Sequence, residues 1–203
     1  MKNLKKLIGV LTIATGIICT GCGSSAGQAL KPVEDSGKQI TTTSGIKASI
    51  PKGWKEVKDA TAQEGFVISK GLSSVTVVKM DQPGLSDLSL EDLQESFKQT
   101  LEATGATIST NEKRTYDNVG DGIFFALQNK ITQEMVDQTI SSGVYSEEAT
   151  KNTKALVGKT NQESAVYLSN GDSMIIIDGV TYTDDAAGIE EVVTFVANSM
   201  TLS

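Results

Sequence analysis

The sequence predicts an α+β fold in which a central antiparallel sheet carries helices on both faces. The first observation is the order of segments: extended runs, a helix, more extended runs, an irregular middle, two further extended runs and a closing helix. The second is residues 174–177, which are apolar at four consecutive positions. Because successive side chains of a strand point to opposite faces, this strand is predicted to be buried on both sides.

The first predicted strands follow a turn-rich beginning. Residues 46–57 alternate apolar and polar side chains up to Pro51, and a new extended piece begins at Trp54 after a Pro-Lys-Gly turn. Residues 64–70 and 73–80 are β-branched runs joined by a short link, which is typical of a hairpin. Trp54 is predicted to be a core residue rather than a platform for stacking a sugar.

Residues 90–103 are predicted to form a helix. Ser89 and Asp92 resemble a capping box, in which the Ser side chain accepts a hydrogen bond from the backbone three residues later. Gly105 is well placed as the C-terminal stop. The apolar residues recur at helical spacing on one face: Leu90, Leu93, Phe97 and Leu101.

The second half of the chain contains two more predicted pairs of strands and a helix. Residues 106–116 and 122–130 form the first pair, and Asn170-Gly171 between two apolar runs indicates a tight hairpin. A closing helix is predicted over residues 185–200. Its apolar stripe consists of Ile189, Val192, Val193, Val196 and Met200.

These features together resemble PsbP-like domains. The stretch IPKGW, residues 50–54, opens an extended segment, a loop precedes the first helix, and the Asn170-Gly171 hairpin leads to the closing helix. The resemblance covers residues 45–203 and implies one domain with a three-layer α/β/α arrangement on a central antiparallel sheet. The family includes extrinsic photosystem proteins and many bacterial lipoproteins, and its members act mostly by binding or by assisting assembly. The resemblance therefore implies a binding role rather than catalysis.

The N-terminus carries the pattern of an export signal. A start with three lysines is followed by an apolar stretch, residues 7–19, which is too short to cross a bilayer that needs ~20 helical residues. Thr20-Gly21-Cys22 then resembles the lipobox of bacterial lipoproteins, although Cys19 stands where that family prefers Leu. The resemblance implies cleavage after residue 21 and diacylglycerol on Cys22, hence a membrane anchor on the extracytoplasmic face. The alternative is an ordinary cleaved signal that leaves a free thiol.

Residues 22–44 are predicted to be a flexible tether, because this run is rich in Gly, Ser and Thr and poor in large apolar residues. The folded domain is then predicted over residues 45–203.

Composition excludes several kinds of chemistry. The chain has no histidine, and its second cysteine, Cys19, lies in the leader. Ser-His-Asp and Cys-His catalysis and the usual zinc sites are therefore impossible in the processed protein. We expect no enzymatic activity, no cofactor and no metal. Loss of the leader, which holds three lysines and no acids, changes 18 basic and 25 acidic residues to 15 and 25, a net charge of −10. That sign opposes nucleic acid as a partner.

Residues 131–160 are longer than a link between two strands requires. Two short helices are predicted there, over residues 132–141 and 146–157. One interpretation is a lid or docking surface for a protein partner, with Tyr145 as its aromatic anchor and Met135 and Leu156 as further contacts. The alternative is that the segment is an irregular part of a helical layer.

Three acidic or nucleophilic patterns have a structural and a functional interpretation. Acids near the last helix are predicted to cap it and to be solvated, the alternative being a calcium or acid-base site: Asp184, Asp185, Glu190 and Glu191. Acids around the loop before the first helix give a weaker hint of a cation site: Asp81, Asp87, Glu91 and Asp92. Ser44 and Lys47 match the S-x-x-K string of serine acyl enzymes, but they enter a predicted strand, which places them on opposite faces.

Three hypotheses for function remain open at this point. The first is a non-catalytic lipoprotein that binds a protein partner at the cell envelope. The second is a lipoprotein that captures a small ligand or a cation. The third is a carboxylate-based hydrolase, which needs two acids facing each other across a cleft, roughly 5 to 9.5 Å apart.

Overall fold

The computed structural model describes residues 30–57, 64–142, 151 and 154–203. The strands are β1 (Asp35–Thr41), β2 (Ile46–Pro51), β3 (Lys55–Glu56), β4 (Gly65–Lys70), β5 (Ser73–Asp81), β6 (Thr107–Tyr116), β7 (Gly120–Lys130), β8 (Thr160–Asn170), β9 (Ser173–Thr181) and β10 (Thr201–Leu202). The helices are α1 (Leu90–Ala103), α2 (Gln133–Ser142) and α3 (Ala186–Ser199), and a 3-10 turn covers Leu85–Asp87.

The described residues form two sheets, in which every strand pairing is antiparallel. The large sheet has seven strands in the order β3-β4-β5-β9-β8-β7-β6, so that β8 and β9 lie near its centre. The small sheet has three strands in the order β1-β2-β10. The predicted α+β class with an antiparallel sheet is confirmed.

One face of the large sheet packs against α3, which also contacts β2 of the small sheet. The apolar stripe of α3 is buried there, together with Ile175 and Ile177 of β9. Gly179 permits the close approach, since a Cβ at this position would lie 2.3 Å from Cγ2 of Val193. Trp54, 6% exposed, belongs to the same cluster, as predicted.

The other face packs against α1. Leu93 and Phe97 of α1 are buried with Met174 and Ile176 of β9, so the central strand is apolar on both faces as its sequence indicates. The ring of Phe97 stacks on that of Tyr167 with centroids 4.5 Å apart. Helices therefore lie on both faces of the large sheet. The three-layer expectation holds only in part, because α3 shares its side with the small sheet.

The predicted domain boundary near residue 44 is wrong. Residues 35–41, assigned to the tether, form β1, whose polar sequence acquires backbone partners from β2. Leu30 is only 3% exposed, and its amide donates to Oδ2 of Asp185 at 3.0 Å. The folded body therefore includes residues 30–41, because long-range contacts hold a segment that has little local structural preference.

Candidate functional site

Residues 131–159 leave and rejoin the large sheet at one end. Lys130, the last residue of β7, pairs with Thr160, the first residue of β8. The amide of Ile131 donates to the carbonyl of Lys159 at 2.9 Å, and that of Gly158 donates to the carbonyl of Ile131 at 2.8 Å. The described parts of this segment, residues 131–142, 151 and 154–159, are called the insertion below.

A separate apolar cluster holds the insertion in place. Ile131, Val136 and Leu156 are buried together, and the partly buried Ile140 and Tyr182 pack against them. Tyr182 directly follows β9, so α2 is packed beside the end of the central strand. The prediction of a helix over residues 132–141 is confirmed, since α2 spans Gln133–Ser142.

The residues predicted to contact a partner have different environments. Met135 is partly buried in α2. Leu156 is 4% exposed and packs inside the insertion, so it supports this surface instead of presenting a side chain on it. The neighbouring Val157 is 38% exposed. Tyr145, most of the helix predicted over residues 146–157 and the lipidation site Cys22 lie outside the described residues.

Two buried acids lie on neighbouring central strands, on the same face of the sheet. Glu163 of β8 and Asp178 of β9 are 4% and 5% exposed. In β8, Glu163 points to the same face as Tyr167, and in β9, Asp178 points to the same face as Ile176. Both acids therefore lie on the face of the sheet that packs against α1. Nδ2 of Asn129 donates to Oε2 of Glu163 at 2.9 Å. Oδ1 of Asp178 has no hydrogen-bond partner among the described residues.

Burial dominates the electrostatics of this pair. It raises the pKa of Glu163 well above the usual value, with the charge of Asp178 as the second cause. It also raises the pKa of Asp178, to about 7, although a hydrogen bond from Glu163 counteracts it. The two carboxyls thus share a hydrogen bond and favour a protonated state. Both carboxyls are buried on one face of the sheet and contact each other. They are therefore not the pair facing each other across a cleft that the hydrolase hypothesis requires.

The sequence contains a signal for this buried pair, although neither acid was among the predicted site residues. Asp178 interrupts the otherwise apolar run of β9, and Glu163 occupies the face of β8 on which Ala165 and Tyr167 follow. Asp and Glu are almost never fully buried unless they are paired with another polar group. An acid at a buried position of a strand therefore indicates a partner nearby. What the sequence does not reveal is that the two acids lie on adjacent strands.

The acids near α3 have structural roles. Oδ1 of Asp185 accepts from the amide of Gly188 at 2.9 Å, which caps the helix as predicted. Glu190 pairs with Arg114 at 2.9 Å, and Glu191 pairs with Lys31 at 3.2 Å. In the part of the chain that the structure describes, no group of three or more acidic or other metal-binding side chains is arranged to hold a metal ion.

The other two patterns also have structural explanations. Oδ1 of Asp81 accepts from Ser173 at 2.8 Å, and Glu91 pairs with Lys113. Ser44 donates to the carbonyl of Glu64 at 3.1 Å, while Lys47 lies in β2. The S-x-x-K string is therefore not at the start of a helix, where a serine acyl enzyme would need it.

No protein-family model and no curated protein matches this chain. Among solved structures, it is similar to the Ran-binding protein Mog1p of Saccharomyces cerevisiae, with 12% identity over 84% of this chain and 96% of that chain and a TM-score of 0.52. LpqN, involved in cell envelope biogenesis of Mycobacterium tuberculosis, has 10% identity over 84% and 91% and a TM-score of 0.50. CyanoP, the PsbP of Synechocystis sp. PCC 6803, has 19% identity over 91% and 99% and a TM-score of 0.48.

At these identities the comparisons show the fold alone. The chain has a mixed α+β fold of the kind found in Mog1p and LpqN. No helix among the described residues is long and apolar enough to span a membrane.

Proposed function

We propose that this protein is a lipid-anchored lipoprotein of the extracytoplasmic face that binds a protein partner and has no catalytic role. The observation that carries the proposal is the insertion. It is held by its own small apolar cluster at one end of the sheet, where a direct turn from Lys130 to Thr160 would complete the hairpin. A segment that the sheet does not need, packed firmly enough to present a defined surface, is typical of a binding element.

The chemistry available in the chain agrees with a binding role. Histidine is absent from the whole sequence, and the acids with raised pKa values, Glu163 and Asp178, are buried in contact with each other. Two proteins with this fold are described as Ran-binding and as involved in cell envelope biogenesis, and neither description names a reaction. The fold is thus compatible with binding, while the partner of this chain must be found by experiment.

The anchor is tested by fractionation of cells that express the full-length chain. Cys22→Ser removes the thiol that would carry the lipid, and we expect the protein to move from the membrane pellet to the soluble fraction. Cys19→Ser is the matched control, since it removes the neighbouring cysteine of the leader and should leave the protein in the pellet. Retention of the Cys22→Ser protein in the membrane fraction would contradict the anchor.

The binding surface is tested by crosslinking in living cells. Residues 132–158 are replaced by a short Gly-Ser link, which the pairing of Lys130 with Thr160 allows the sheet to accommodate. We expect a crosslinked partner band with the natural chain and its loss with the replacement. Thermal unfolding of the purified variant shows whether it folds. Unchanged bands from a folded variant would assign the insertion to the scaffold and refute the docking role.

A further inference from the structure

Several contacts attach residues 30 and 31 to α3. Leu30 is buried in the α3 cluster, and its amide is bound by Asp185, the residue that caps α3. Lys31 pairs with Glu191 in the same helix at 3.2 Å. Residues 30 and 31 are therefore attached to the N-terminal half of α3 and its cap.

That attachment lies at the same end of the large sheet as the insertion. β9 ends at Thr181, four residues before Asp185, and Thr181 pairs with Gln162 near the start of β8. The insertion packs against Tyr182 at this end. We call it the anchor end. The opposite, distal end carries the turn between β6 and β7 and the turn between β8 and β9.

The distance from Cys22 limits how the body can be oriented. Seven residues, 23–29, separate Cys22 from Leu30. At ~3.6 Å per residue, these eight steps span at most about 29 Å when fully extended. Strand β8 has 11 residues and is about 34 Å long at ~3.4 Å per step. A body with its distal end on the membrane would need a tether longer than the one present.

Charge favours the same orientation. Acidic residues lie at the distal end: Asp81, Asp117, Asp121 and Asp172. Residues 130–160 contain four lysines and four acids, so the net charge of −10 of the processed chain is carried by the rest of it. An anionic bilayer repels the acidic distal end more strongly than it repels residues 130–160. Lipid headgroups recruit clusters of four to eight basic residues, whereas in residues 130–160 the four lysines are matched by four acids.

We infer that the insertion faces the membrane from which the protein is tethered, and that its partner is the extracytoplasmic part of a membrane-embedded protein. This inference rests on the proposed lipid anchor at Cys22. The exposed surface at the anchor end mixes charged residues with Val157 and Leu72, which are 38% and 37% exposed. That mixture suits a protein surface better than a lipid one.

Orientation is tested with the acylated protein in membranes. The processed chain has no cysteine besides the blocked Cys22, so Lys154→Cys in the insertion and Asp117→Cys at the distal end each provide a unique site for a fluorophore. Both side chains are exposed. With a quencher attached to lipid headgroups, we expect several-fold stronger quenching at position 154 than at 117. Equal or reversed quenching in protein that remains in the pellet refutes the orientation and leaves the anchor intact. Protein absent from the pellet refutes both.

A lengthened tether tests whether the length of the segment between Cys22 and Leu30 sets the orientation. Insertion of about 20 Gly and Ser residues between positions 29 and 30 adds a flexible chain whose reach exceeds the length of the body. The protein should still pellet, and the difference between positions 154 and 117 should fall severalfold, because only the charge distribution then favours the original orientation. An undiminished difference would show that tether length does not set the orientation.

The nature of the partner is tested with photo-crosslinkers at the same two positions. We expect an adduct from position 154 that stays with integral membrane proteins after alkaline washing, and none from position 117. An adduct with lipid alone, with a soluble protein alone, or only from position 117 would overturn the assignment.

Discussion

The buried pair Glu163–Asp178 should make this protein less stable as the pH rises through neutrality. A carboxyl whose pKa is raised by folding holds its proton in the folded state at pH values where the unfolded chain has lost it. The folded state therefore binds more protons between the two pKa values, and stability falls as the pH increases through that window. For Asp178 the window runs from its ordinary value of 3.8 to about 7.

The magnitude follows from proton linkage. One extra proton in the folded state corresponds to a loss of roughly 1 kcal/mol per pH unit, or about 2 to 3 kcal/mol between pH 5 and pH 7. Glu163→Gln replaces one acid by a neutral side chain of the same shape whose carbonyl can still accept from Asn129. We expect the variant to be more stable than the natural protein at pH 8 and to lose less stability between pH 5 and pH 7.

Urea unfolding at pH 5, 6, 7 and 8 measures both quantities. Asp172→Asn is the control, because Asp172 is exposed and hydrogen bonds from Ser86 lower its pKa. The contribution of Asp172 to the free energy of unfolding is lost only as the pH falls toward its lowered pKa. The change in stability between pH 5 and pH 7 should therefore be the same in Asp172→Asn as in the natural protein. A natural protein with constant stability from pH 5 to pH 7 would show that the pair does not hold an extra proton. A Glu163→Gln variant with an unchanged slope would show that Glu163 does not hold one.

Two further predictions concern the attachment of α1 to the sheet and of Leu30 to α3. Phe97→Ala removes a fully buried ring that stacks on Tyr167. Urea titrations should show that the free energy of unfolding falls by about 3 to 5 kcal/mol. A loss below ~1 kcal/mol would contradict the packing of α1 on the sheet. Asp185→Ala removes the cap of α3 and the acceptor for the amide of Leu30. It should lower the free energy of unfolding by about 1 to 2 kcal/mol and speed proteolysis near residue 30. Asp184→Ala is the control and should do neither. Equal resistance to proteolysis in both variants would show that Asp185 does not hold the chain at residue 30.

Local signals in the sequence were sufficient for most of the secondary structure. Helix α1 spans the predicted residues, because Ser89 accepts from the amide of Asp92 at 3.1 Å and the apolar spacing defines one buried face. The hairpin of β8 and β9 is also as predicted, with Gly171 in the left-handed conformation at φ 61°. These features depend on contacts between residues that are close in the chain, so a short stretch of sequence specifies them.

The sequence by itself determined the α+β class, the absence of histidine chemistry, and the position of the insertion. Only the tertiary structure decided that residues 35–41 are a strand, that Glu163 and Asp178 share one buried site, and that Leu30 is bound beside the cap of α3. The physical reason is the distance along the chain. The partners of β1, of Glu163 and of Leu30 are supplied by segments far from them in sequence, and no local pattern encodes such a meeting.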